Sequence, residues 1–365
     1  MTNAASQLTL MGDVIKPYKL PTTRYQGSKS KIVSWIWDNI KDIEFNTVLD
    51  AFGGTGIVGY FLKTKGKQVF YNDILKSNYY IGTALIENDA VRLSGDDVDF
   101  LLQPHSDINY PTFIQDTFPD VYYTDEENRW LDMVIQNIEN LDDFYKRTLA
   151  YYALFQACII KRPYNLFHRK NLYMRTSNVK RSFGNKATWD TPFEEHFLNF
   201  INEANGCVFS NGQENKALNF DVFDIDDDVD LVYIDTPYIS KDGVGVDYLE
   251  FYHFLEGIVN YSKWGEMIDY RSKHRRIKHK KPVWCDKNKI CSAFNRLFKN
   301  FQNATIVVSY RSDGIPSITD LERILGKYKP VVREVRSGGY KYVLSNGSSE
   351  ECLLLGLDEN EFSHT

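Results

Sequence analysis

The sequence predicts an α/β domain built on a parallel sheet and interrupted by a largely helical insert. Three observations point there. Short β-rich runs alternate with helical periodicity at both ends of the chain. A glycine-rich turn joins the first strand to its helix, and the alternation lapses between about residues 93 and 205, where helical spacing dominates. The chain has 365 residues, 43 % of them apolar and 25 % charged. That length can bury a sizeable core, and the composition excludes wholesale disorder.

The elements follow in order. Residues 1–23 are polar and unpatterned and read as an arm. Ile32, Trp35, Ile36 and Ile40 recur at helical spacing. Residues 47–52 form a first strand, 57–65 a helix, 68–71 a second strand, and a further helical stretch runs to about residue 88. Helices are expected over 128–138, 142–160 and 193–203, with basic loops between the last two. The α/β pattern resumes with a strand at 231–235, a helix over 249–261, a strand over 304–309 and a helix over 317–328. Runs at 331–335 and 351–355, linked by a glycine-rich turn region, close the chain. The domain boundaries that result are an arm at 1–23, an α/β domain from 24–92 and 206–365, and an insert at 93–205.

Five cysteines, none in C-x-x-C spacing, indicate neither a disulfide framework nor a zinc cluster, and no metal is expected. No secretory leader and no apolar run of 18 residues is found, so the chain reads as soluble and cytoplasmic.

The turn Asp50-Ala-Phe-Gly-Gly-Thr-Gly56 carries G-x-G-x-x-G at Gly54, Gly56 and Gly59, and Asp73 ends the next strand. Such glycines let a nucleotide-like ligand approach the backbone, and the acid suits ribose hydroxyls. This turn alone is compatible with a dinucleotide. Asp50 and Phe52, however, put a carboxylate and a ring where a pyrophosphate would sit, which favours the cationic S-adenosylmethionine (SAM). A second edge site, Asp235-Thr-Pro-Tyr238, directly follows the strand at 231–234. Pro237 keeps Thr236 extended, so a carboxylate, a carbonyl and a ring gather at a strand's carboxyl end.

With these segments in view, the chain resembles the N6-adenine DNA methyltransferases of the Dam-like (D12) class, the FokI-type enzymes of restriction–modification systems in particular. Tyr25-Gln-Gly-Ser-Lys29 resembles the family's N-terminal cofactor motif, Asp50 to Gly56 its SAM loop, and Tyr71-Asn-Asp73 its ribose-binding turn. Phe220-Asp-Val222 matches the place of a carboxylate near the SAM adenine, and Asp235-Thr-Pro-Tyr238 the catalytic D-P-P-Y, with Thr236 where proline is usual. The resemblance implies a SAM-dependent methyltransferase fold of Rossmann-like type, with a mixed sheet and the helical insert as target-recognition domain. It implies cofactor contacts from Tyr25, Lys29, Asp50, Phe52, Gly54, Gly56, Asp73 and Asp221. It also implies a reaction at N6 of a flipped adenine, with Asp235 and the Thr236 carbonyl holding the amine, Pro237 fixing the turn and Tyr238 stacking on the base.

Net charge is −6, which at face value argues against a polyanion. The average misleads. Residues 161–186 carry eight Lys/Arg and residues 271–281 seven, neither with an acid, so the rest of the chain carries −21. Such concentrated charge suits double-stranded DNA. Arg162, Asn165, His168, Arg169, Lys170, Arg175, Lys180 and Arg181 from the first segment, and Arg275, Arg276 and Lys278 from the second, are the candidate DNA contacts. His253 is equally readable as a packed helix residue or a contact near the base. A monomer is expected, bacterial or archaeal and nucleoid-associated, with a cognate restriction endonuclease or companion methyltransferase as a functional partner. The alternatives are a catalytically weak specificity subunit, or a SAM-dependent enzyme acting on cytosine N4 or RNA.

Overall fold

The computed structural model describes residues 19–22, 24–177, 186–226, 228–338 and 349–359. Its centre is a seven-stranded sheet in the order β3-β2-β1-β4-β6-β9-β8. The strands are β1 (Thr47–Asp50), β2 (Gln68–Asn72), β3 (Lys216–Leu218), β4 (Leu231–Ile234), β6 (Thr305–Arg311), β8 (Val331–Arg336) and β9 (Glu351–Leu357). Neighbours from β3 through β6 pair in parallel; β9 runs antiparallel to both β6 and β8. A two-residue pair, β5 (Ile239–Ser240) with β7 (Gly314–Ile315), stands apart. The strands expected from the sequence all form; β3 and the β5/β7 pair carry too few apolar residues to announce themselves.

Both faces of the sheet are buried, which is why β4, β6 and β9 are apolar almost throughout. Alternate residues serve opposite sides. Val48, Leu231, Tyr233, Val307 and Leu353 enter one hydrophobic cluster. Leu49, Val232, Ile234, Ile306, Val308 and Leu354 enter the other. The second face is covered by Ile290–Asn300, a helix not anticipated, and by Ile318–Leu325.

The first face is covered by Val33–Ile40, Ile57–Thr64 and Tyr248–Ile258, and by helices of the 93–205 segment. Chief among the latter are Asp125–Glu139, Phe144–Ile160 and Phe193–Cys207. The starts of the first two are fixed by side chains. Thr124 and Glu127 form a reciprocal capping box, and Asp143 caps the Lys146 N–H. Phe144–Ile160 is buried on nearly every side over residues 148–159, the mark of a helix with protein all round it. The segment therefore shares one apolar cluster with the sheet.

Candidate active site

Because β2, β1 and β4 are adjacent and parallel, their carboxyl ends lie along one edge. Asp50 ends β1, Asp73 follows β2 and Asp235 follows β4. Three carboxylates are thus gathered by strand pairing alone. They line a cavity of about 570 Å³, together with Tyr25, Lys29, Phe52, Gly54 and Asp221. That size suits a nucleoside-sized ligand.

The turn after β1 is built for close approach. A Cβ on Gly53 would lie 2.0 Å from the Tyr71 ring, and Gly56 holds φ +71° as it opens the helix Ile57–Thr64. Asp50 Oδ2 accepts the Gly59 N–H at 3.0 Å beneath this turn. Burial pushes the Asp50 carboxyl up to about 7, against that hydrogen bond. Asp73 accepts N–H groups from Leu75 at 2.8 Å, Gly54 at 2.9 Å and Asn78 at 3.1 Å. A carboxylate has room for about four, which leaves capacity for a ligand hydroxyl. Burial raises Asp73 to about 6. Asn72 ties the Phe220 backbone to this edge through 3.0 and 3.2 Å bonds, and so places Asp221 at the rim.

Lys29 reaches the edge from the N-terminal segment. Its ammonium is 3.0 Å from Asp235 Oδ1 and 3.2 Å from Glu351 Oε1. Its side chain is 4 % exposed, that of Glu351 0 % and that of Asp235 20 %. Burial pushes the Asp235 carboxyl upward; Lys29 opposes the shift and Glu351 adds to it. Tyr25 is stacked on Tyr252, ring centroids 3.8 Å apart, and the Tyr252 hydroxyl accepts the Gln26 N–H at 2.8 Å. Thr236 is 2 % exposed, and among the described residues its hydroxyl has no hydrogen-bond partner. Tyr238, expected as a stacking platform, is only 8 % exposed, with the Arg311 guanidinium 5.0 Å from its ring centroid. Pro237 and the rings of Phe52, Tyr248 and Trp284 form cavity wall instead.

The basic residues divide. Arg169 and Lys170 are exposed, and Asn165 and His168 half-buried. Tyr164 and Asn165 hold φ +62° and +58°, a tight turn that projects the Tyr164 ring outward. Arg162 and Arg175 correct the expectation of a DNA-facing role. Arg162 is 1 % exposed and donates to the carbonyls of Tyr122, Leu166 and Arg169 and to Asn171 Oδ1. Arg175 makes a forked pair with Glu127 at 2.6 and 2.9 Å. In the second segment Arg276 pairs with Glu250 at 3.0 Å, and Lys278 is exposed. The half-buried Arg275 donates to the Tyr270 carbonyl at 2.7 Å. This segment borders a second cavity of about 640 Å³ that shares Asp247, His279 and Lys281 with the first. Lys180 and Arg181 lie outside the described residues. His253 is a packed residue: 0 % exposed, its Nε2 is 2.8 Å from the Tyr122 hydroxyl, and burial pulls it down to about 3.

Sequence reasoning missed Glu351, Tyr248, His279 and Trp284. The only signal for Glu351 was an acid opening an otherwise apolar strand. Among the described residues no group of three or more His, Cys, Asp or Glu is placed to hold a metal ion. None of the described helices is long and apolar enough to cross a membrane.

The family model for D12 class N6 adenine-specific DNA methyltransferases matches residues 25–307. The chain belongs to this family. The seven-stranded mixed sheet is its SAM-dependent methyltransferase fold, and the chain is an adenine-specific DNA methyltransferase. It is 31 % identical to the type II methyltransferase M2.HphI of Haemophilus parahaemolyticus, over 94 % of this chain and 98 % of that one. It is 24 % identical to M.NlaIII of Neisseria lactamica, over 86 % and 91 %. It is 26 % identical to M.FokI of Planomicrobium okeanokoites over 83 % of this chain, which spans only 46 % of that longer protein.

Proposed function

We propose that the methyltransferase binds SAM in the 570 Å³ cavity and modifies the N6 amine of an adenine flipped out of duplex DNA at a specific site. The observation that carries this reading is the row of Asp73, Asp50 and Asp235 along adjacent strand ends, with a single lysine between two of the site's carboxylates. An acidic wall of that kind suits a sulfonium and disfavours a pyrophosphate. When bound, SAM supplies a methyl carbon made electrophilic by its positive sulfur. Asp73 accepts from ribose hydroxyls, Asp221 and Phe220 border the adenine end, and Asp50 with Asp235 faces the cationic end.

Adenine N6 is a weak nucleophile because its lone pair is delocalised into the ring. Asp235 and the Thr236 carbonyl accept its two N–H groups and draw the nitrogen toward a tetrahedral geometry. Pro237 keeps the Thr236 carbonyl from turning into a helix. Positioning and electrostatics supply most of the acceleration. Tyr238 stacks on the base, a contact that requires the Arg311 guanidinium, 5.0 Å from its ring centroid, to move aside.

Arg169, Lys170 and the segment 271–281 track the phosphates, and residues 93–205 carry site recognition. The enzyme acts as a monomer on chromosomal DNA in the cytoplasm and shields sites from a cognate restriction endonuclease. The test is transfer from methyl-labelled SAM to DNA free of N6-methyladenine. Label is expected in N6-methyladenine, and Asp235→Ala is expected to abolish transfer while retaining SAM binding. Label in N4-methylcytosine, or an active Asp235→Ala variant, would overturn the reading.

A further inference from the structure

Glu351 opens β9 at a position with no access to solvent, in a strand whose other residues are apolar or glycine. A carboxylate there is costly to bury unless it is paired and hydrogen-bonded. Its Oε1 accepts from the Lys29 ammonium and from the Ser309 hydroxyl on the neighbouring β6. The same ammonium holds Asp235 Oδ1. A polar chain therefore runs Ser309–Glu351–Lys29–Asp235, from the middle of the sheet to its reactive edge.

We propose that Glu351 is a positioning residue for methyl transfer, acting on Asp235 through the ammonium that the two carboxylates share. The proposal rests on Asp235 as the carboxylate that holds the amine. Two consequences follow from the geometry. Lysine is a flexible stem carrying a compact charge; anchored by Glu351, it stays against Oδ1. With Oδ1 engaged by the ammonium, Oδ2 is the oxygen the proposal assigns to an N6–H.

The second consequence is electrostatic. One positive charge divided between two carboxylates leaves Asp235 a better acceptor than a plain ion pair would. In the transfer an N–C bond forms as the C–S bond breaks. Its electron pair goes to sulfur, and a proton leaves the nitrogen for Oδ2 and then water. An acceptor fully neutralised by Lys29 would take that proton poorly. Glu351 raises the Asp235 carboxyl, in the same direction as burial and against Lys29. The other groups facing Asp235 are Asp50 on β1, Tyr233 on β4, and Tyr238 and Tyr248 from the following loop and helix. Burial keeps the three phenols neutral over the working pH range.

The experiment compares Glu351→Gln, Glu351→Asp and Asp235→Ala in the full chain. It uses methyl-labelled SAM and DNA free of N6-methyladenine. Glu351→Gln keeps the hydrogen bonds but removes the charge. We expect kcat to fall about tenfold, the rate equivalent of roughly one charged hydrogen bond, with KM for SAM within about twofold. The acid limb of the pH–rate profile should move down by about half a unit, because Asp235 loses a like-charged neighbour. Glu351→Asp should recover part of kcat. If Glu351→Gln does not fold, Ser309→Ala, which loosens Glu351 without removing its charge, should lower kcat with KM unchanged. Wild-type kcat and an unmoved acid limb, or a fall in kcat matched by equal losses in SAM affinity and thermal stability, overturn the proposal. An active Asp235→Ala variant would instead sink the reading beneath it.

Discussion

The segments 161–186 and 271–281 carry eight and seven Lys/Arg and no acid, yet the fold disposes of their charge differently. In the first, Lys161, Arg162 and Arg175 turn inward and are spent on Glu127 and on backbone carbonyls near Tyr122. In the second, Arg271, Lys273, Lys278, Lys280 and Lys281 are exposed. What separates them is the chain around them. The carbonyls of Tyr122, Leu166, Arg169 and Trp189 are turned toward these side chains, and a guanidinium with five donors can satisfy several at once. The segment 271–281 lies over a rim, with no such carbonyls beneath most of its cations. Local charge density shows that cations are needed, and their environment decides for what.

That contrast can be broken most directly at Arg162. Arg162→Ala should cost about 3 kcal/mol or more, because it leaves several buried carbonyls unpaired; urea denaturation measures it. Loss of DNA affinity at unchanged stability would erase the distinction. A smaller effect is expected from replacing Lys278, Lys280 and Lys281 together by alanine. Stability should hold, while the slope of log K against log salt falls by roughly 2 to 3, near one per lost phosphate contact. An unchanged slope in a salt titration would remove this segment from the DNA surface.

The cavity offers the acidic counterpart, a buried charge awaiting a cation. With Asp50 raised to about 7, only its ionised form attracts a sulfonium. SAM affinity should therefore rise several-fold, on the order of one pH unit's worth of charge, as pH climbs from 6 to 8. Asp50→Asn should flatten that rise; calorimetry across pH reads both. The smallest effect concerns Thr236, whose buried hydroxyl is unsatisfied among the described residues. Thr236→Val should stabilise the fold by about 1 kcal/mol, seen as a higher Tm.

Most of the fold was legible because apolar periodicity and caps are local. Ile32 to Ile40, Gln68 to Tyr71 and Leu231 to Ile234 announce their elements within a few residues. The site was legible where strand ends carry it: Asp50, Asp73 and Asp235 converge by parallel pairing, a rule that needs no side-chain detail. The helix Ile290–Asn300 was missed although its apolar residues do repeat at helical spacing. Glu351 was not legible, because its meaning depends on a lysine at the other end of the chain. Nor was the inward turn of Arg162, since the carbonyls that claim it exist only once the loop has folded.

The shared cluster on the first face of the sheet has a practical bearing on redesign. Phe144–Ile160 and Phe193–Cys207 pack into the same apolar mass as Val48 and Tyr233. The segment 93–205 is therefore no cassette to be cut out and exchanged for that of a relative. A transplanted set of helices would have to match the recipient sheet residue for residue, or open cavities in the cluster they share. Under the proposed reading, new target sequences are better sought at the exposed side chains of Tyr164, Arg169, Lys170, Tyr173, Lys278, Lys280 and Lys281, which can change without repacking the centre of the enzyme.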